Sequence, residues 1–236
     1  MGYSMGGIAF TRNERNGDPD MLIGALYGSA YKRATAVSAE NRNSKEVMAE
    51  IFDNFCCIYD DKFPEEHIFR KKKNISSIFK VLGEPELLMV FCHYDSGDSF
   101  GYSIYENGLF SRRRLYTNCE LTEEGDPKDF ELEWINASTY IENEEDPPEE
   151  HQVVYYKGNR EEIVSAHFLT AKLLREALEN FFGMNAWEDM DVSRNMVRYR
   201  RLPSPQPQPQ PQPKTLSESS TQSSTSAPKR PWWKFW

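Results

Sequence analysis

The sequence predicts an α+β protein: one mixed or antiparallel sheet with two main amphipathic helices, followed by a disordered C-terminal tail. Three observations carry this. Apolar stretches of strand length alternate with turn signals across residues 87–116. Apolar residues recur at helical spacing in 44–59 and again in 160–182. Composition changes abruptly at Pro203. With 39% apolar and 28% charged residues, the part before Pro203 can build a core.

In chain order, the first twenty residues are Gly-rich and polar, with the turn signal G-D-P-D at 17–20. The run M-L-I-G-A-L-Y at 21–27 reads as a short buried strand, Gly28-Ser29 as a turn, and 31–37 as its hairpin partner. Ser44 serves as an N-cap for a helix in which Val47, Met48, Ile51, Phe52, Phe55, Ile58 and Tyr59 share one face and Glu46, Glu50 and Asp53 the other. Residues 64–82 read as partly helical, broken around R-K-K-K at 70–73 and ended by Gly83 and Pro85. L-L-M-V-F-C-H at 87–93 reads as a central strand. It leads through Asp95-Ser96-Gly97-Asp98 into a second strand, and Asn107-Gly108 signals the hairpin to a third. Three consecutive arginines, Arg112 to Arg114, make that third strand an edge with one exposed face. The acidic stretch 120–150 reads as loop with a short strand at 130–134, and 153–156 as another short strand. Asn159, with Glu162 three residues on, opens the clearest helix, which Gly183 stops; 196–202 reads as a last strand.

Three segments follow. Residues 1–202 form an acidic α+β domain. Residues 203–228 form a disordered linker, first Pro/Gln-rich and then Ser/Thr-rich; its proline part extends over roughly 34 Å as polyproline II. Residues 229–236 form an aromatic-basic tip, K-R-P-W-W-K-F-W.

The net charge of −9 is unevenly spread. Lys214, Lys229, Arg230 and Lys234 against Glu218 leave residues 203–236 at +3, so residues 1–202 carry −12. Such a body repels phosphate, which argues against nucleic acid and for solubility or a partner with a basic face. No run of 18 apolar residues occurs, and no secretory signal is read at the N-terminus. Gly2 lacks the Ser or Thr that N-myristoylation needs four residues on. The four cysteines, Cys56, Cys57, Cys92 and Cys119, have no metal-site spacing, and buried thiols suit a reducing cytoplasm. The expected location is cytoplasmic, with a peripheral place on the inner membrane face if the tip engages lipid.

Most chemical motifs reduce to ordinary structure. Gly2-Tyr3-Ser4-Met5-Gly6 matches G-x-S-x-G, but no strand leads into it as a nucleophile elbow requires. No phosphate-cradling glycine motif occurs and no cofactor is expected. Cys92 and His93 are strand neighbours pointing to opposite faces, so they form no dyad. His167 reads as a satisfied core histidine. The basic runs 70–73 and 112–114 read as solvated faces balanced by carboxylates. One enzymatic candidate stands: His93, Asp95 and Asp98 at a strand end, able to move protons or hold a metal.

The tip is the more informative feature. Trp232, Trp233, Phe235 and Trp236 are interleaved with Lys229, Arg230 and Lys234. Such a peptide suits either a groove on a second protein or an anionic membrane surface. The leading expectation is therefore a non-enzymatic adaptor or immunity-like protein with two binding ends. An enzyme with a site at His93, Asp95 and Asp98 is the alternative.

Overall fold

A computed structural model describes residues 4–13, 16–34, 46–142, 152–184 and 196–202. The linker and the tip, with Lys229, Arg230, Trp232, Trp233, Lys234, Phe235 and Trp236, lie outside the described residues, as do Ser44 and most of the acidic run 142–150.

The fold is α+β. Among the described residues, nine strands form one antiparallel sheet: β1 (Ser4–Thr11), β2 (Tyr31–Arg33), β3 (Glu46–Ile51), β4 (Phe55–Tyr59), β5 (Leu87–Tyr94), β6 (Ser99–Glu106), β7 (Leu109–Thr117), β8 (Glu120–Glu124) and β12 (Met196–Arg201). Their spatial order is β2-β12-β3-β4-β1-β5-β6-β7-β8. A second antiparallel sheet joins β9 (Ser138–Glu142), β10 (Gln152–Lys157) and β11 (Glu162–Ser165) in the order β11-β10-β9.

Side-chain alternation divides the core into two layers. Met89 and Phe91 of β5 point to one face, where they meet α4 (Asp129–Ile135), α5 (Ala166–Phe182) and the small sheet through Trp134, Leu173, Leu174 and Val164. Leu88, Val90 and Cys92 point to the other face. There they meet α1 (Pro19–Tyr27), α2 (Lys62–Pro64) with its π-helical continuation Glu65–Phe69, and α3 (Ser76–Val81). A sheet covered on both faces explains why β5 is apolar throughout its length.

Several elements differ from the sequence reading, each for a physical reason. Residues 21–27 are the helix α1, not a strand. Asp18 accepts the Asp20 backbone N–H at 2.9 Å and Pro19 sits at the first helical position, so the start signals outweigh the apolar run. Its supposed hairpin partner is β2, which pairs with β12. The helix expected over 44–59 does not form in its described part: 46–59 is the β3–β4 hairpin turning at Asp53-Asn54. Phe52 and Phe55 stack across the turn with ring centroids 4.0 Å apart. Their helical spacing is the spacing of a short turn. The expected polar start contains β1, the strand between β4 and β5. Gly7 belongs there because a Cβ would lie 2.3 Å from the Ile58 carbonyl oxygen.

Residues 130–134 belong to α4. The Glu131 carboxylate accepts the Lys128 backbone N–H at 2.6 Å, closing the helix start. The long helix begins at Ala166, with Ser165 at its N-cap position in place of Asn159, because 162–165 first pair as β11. Only one of the two expected long amphipathic helices is therefore a helix, α5. The expected strands at 87–93, 102–105, 109–116, 153–156 and 196–202 all form.

Candidate functional site

The candidate residues lie where β5 turns into β6. In register across the sheet, Met5 of β1 opposes His93, His93 opposes Phe100, and Phe100 opposes Tyr116 of β7. Even spacing puts this row on the α5 face. His93 is buried, and its Nε2 lies 2.7 Å from Asp95 Oδ1 in the short 3-10 turn Asp95–Gly97. Burial pushes the His93 imidazole below its ordinary range and Arg175 adds to this, against the pull of Asp95. His93 is thus a neutral ring held by a carboxylate.

The pair opens onto a cleft of about 470 Å³. Phe100, Val164, Phe168 and Ala171 supply apolar wall, and Arg175 and Glu179 line it from one stripe of α5. A buried imidazole beside an ion-lined cleft can transfer a proton to or from a bound molecule. Asp98 does not join it. Its left-handed backbone (φ 41°) turns the carboxylate toward α5, where Oδ1 lies 3.5 Å from His167 Nε2. The structure therefore brings two of the three candidates together and assigns the third to a different histidine. Among the described residues no three His, Cys, Asp or Glu side chains converge as a metal-ligand set.

The other sequence candidates resolve as follows. Cys92 points to the opposite face from His93, and burial pushes its thiol up. Ser4, Met5 and Gly6 run straight through β1, so the G-x-S-x-G pattern builds no elbow. His167 is not a core histidine: its ring is partly exposed and meets Tyr116 as well as Asp98. Arg70 pairs with Glu65 and Lys72 with Glu66 at the surface, as the balanced-face reading expects.

The arginine triplet contradicts both expectations made for it. It is neither an edge nor a solvated face, because β8 covers β7 and all three side chains are buried. Arg112 Nε donates to both oxygens of Glu131 at 3.0 Å, Nη1 donates to the Gly125 carbonyl at 2.8 Å, and Nη2 reaches Glu123. Arg114 donates to Glu123 at 2.6 Å and to the Thr170 hydroxyl at 3.1 Å. Arg113 faces the other way, donating to Ser103 at 3.2 Å and Glu124 at 2.8 Å. Tyr102 also donates to Glu131, at 2.6 Å. Burial pulls the Arg112 guanidinium down, but Glu131 and Glu123 outweigh it and hold it above its usual value. The signal for the Glu123 and Glu124 side of this cage was present in the sequence, whereas that for Glu131 was not. A two-residue turn at Asn118-Cys119 sets Arg113 opposite Glu124 and Arg114 opposite Glu123.

The chain matches no family model, no curated protein and no solved structure. Among the described residues no helix is long and apolar enough to cross a membrane.

Proposed function

We propose that this is a non-enzymatic interaction protein of adaptor or immunity type, in which an acidic body binds one partner and the tethered Trp-rich tip binds a second surface. One observation supports the reading above the others. Arg112, Arg113 and Arg114 are enclosed by glutamates, so they add no basic patch to a body whose 202 residues carry a net charge of −12. A basic protein face complements such a surface, and the tip carries the opposite charge on the far side of the linker. The linker makes the second contact intramolecular once the first has formed.

The test uses the tip's own reporters, since three of the five tryptophans, Trp232, Trp233 and Trp236, lie in it. The full chain and a chain ending at Leu202 are titrated with phosphatidylserine/phosphatidylcholine vesicles while tryptophan emission is followed. A blue shift in the full chain alone identifies the second surface as anionic membrane. No shift directs the tip to a protein groove, tested by a photo-crosslinking residue at position 233 in cells. No shift and no crosslink together overturn the reading.

A second reading is favoured by a specific observation: buried His93 pairs with exposed Asp95 at the wall of a cleft. In that reading they carry acid–base chemistry without Asp98. A small molecule bound in the cleft then shifts the His93 ring NMR signals, and Asp95→Asn changes the pH dependence of those signals while the melting temperature changes little; ring signals that no cleft-bound molecule moves overturn this reading.

A further inference from the structure

A second histidine–carboxylate pair lies beside the first and opens onto its own groove. His167 stands in the first turn of α5, with Nε2 3.5 Å from Asp98 Oδ1 and Nδ1 2.9 Å from the Tyr116 hydroxyl. A carboxylate only accepts, so the ring proton sits on Nε2, facing Asp98. Nδ1 is then an acceptor for the Tyr116 O–H, which also has the Cys119 side chain within hydrogen-bond reach. Phenol, imidazole and carboxylate stand in the order nucleophile, base and orienting group, the division of roles in a Ser-His-Asp triad, which is recognised by geometry and not by position in the chain.

The surroundings hold this order in place. The His167 ring packs edge-on against Phe168 at 4.5 Å and against Tyr116 at 5.0 Å, so the imidazole is oriented from two sides. The cluster is open to solvent: the side chains of His167 and Asp98 are 31% and 61% exposed. The groove measures about 630 Å³, large enough for a drug-sized molecule. Exposed Phe168 and Val153 form its apolar wall.

We propose that Tyr116 is a nucleophilic site that accepts an acyl group with an apolar body from an activated acyl donor. The Tyr116 oxygen bonds to the carbonyl carbon while its proton passes to His167 Nδ1, and Asp98 stabilises the imidazolium. The bond from the carbonyl carbon to the leaving group then breaks. The leaving group departs with that proton, and an ester remains on Tyr116. Burial, Cys119 and Asp98 raise the phenol pKa, so Tyr116 stays protonated at neutral pH and relies on His167 as the new bond forms. The lining selects acyl over phosphoryl. Neither Lys nor Arg lines the groove among the described residues, and Asp98 would repel a phosphoryl group, whereas an acyl carbonyl enters uncharged.

This site is independent of the interaction reading, and each can fail alone. The test treats the full chain with benzenesulfonyl fluoride, whose sulfur stands in for the acyl carbon. The aryl ring suits the Phe168 wall, fluoride leaves, and the tyrosine sulfonate ester persists for peptide mass spectrometry. Tyr116 should label at least about tenfold faster than Tyr140 or Tyr156, and His167→Gln should slow it roughly 100-fold. Asp98→Asn, at an exposed position that spares the fold, should also slow it, and Cys119→Ser should not. Labelling of Tyr116 no faster than of Tyr140, or a rate unchanged in Asp98→Asn and His167→Gln, overturns the proposal.

Discussion

Arg112 and Arg70 each pair with a glutamate at 2.9–3.0 Å, and there the likeness ends. The Arg70–Glu65 side chains are 71% and 54% exposed, whereas those of Arg112 and Glu131 are 2% and 0% exposed. At the surface, water already satisfies both charges and the pair adds little. Under α4 and α5 neither ion has water to return to, so each depends on the other and on Glu123, Tyr102 and the Gly125 carbonyl. The same residue types are thus ornamental in one region and indispensable in the other, and burial alone makes the difference.

The comparison can be broken most directly at its buried end. Glu131→Ala leaves Arg112 in the core with three of its five hydrogen bonds removed. It should cost about 3–5 kcal/mol, read from urea denaturation midpoints. Replacing the pair together, Arg112→Met with Glu131→Leu, should cost clearly less than Glu131→Ala alone, because no charge is then stranded. Equal losses would mean that the cage stabilises through its own attraction.

A smaller effect separates permanent from removable buried charge. His67 and His93 are buried, and burial, the largest cause for each, lowers both below the ordinary value of 6.5. Between the lowered folded value and 6.5 the unfolded chain binds more protons than the folded one, so stability rises with pH. Their contribution is whole above about pH 6.5 and shrinks as the pH falls through that window, by at most ~1.4 kcal/mol per pH unit for each ring. Denaturation midpoints at pH 7 and pH 5 check this, and His93→Gln should flatten the dependence. A midpoint independent of pH would show that the rings are hydrated in the folded protein. The smallest effect belongs to the surface pair: Arg70→Ala should change stability by less than about 1 kcal/mol, and adding salt should reduce that further.

The two histidine–aspartate pairs show how far the sequence reaches into the candidate site. His93 and Asp95 are two positions apart at the end of a strand whose apolar run is unmistakable, so their meeting was legible. Asp98 and His167 are separated by three further strands, β6 to β8, by α4 and by the small sheet. Nothing local to either residue indicates the other. Their approach depends on α5 crossing the end of β6 and on a left-handed backbone at Asp98.

By itself, the sequence determined the α+β class, the strand–turn–strand course of 87–116, the long helix ending at Gly183, and the charge contrast between body and tip. Those features rest on interactions between near neighbours in the chain: alternation, turn chemistry, capping and net charge. Tertiary structure decided that 46–59 is a hairpin and not a helix, because Val47 and Ala49 must face one layer while Met48 packs on the other. It also decided that three consecutive arginines lie inside, since only the closure of β8 and α4 over β7 supplies enough carboxylate to hold them there. Local rules price a residue by what adjoins it in the chain, whereas a buried charge or a two-sided strand is settled by groups that arrive from elsewhere.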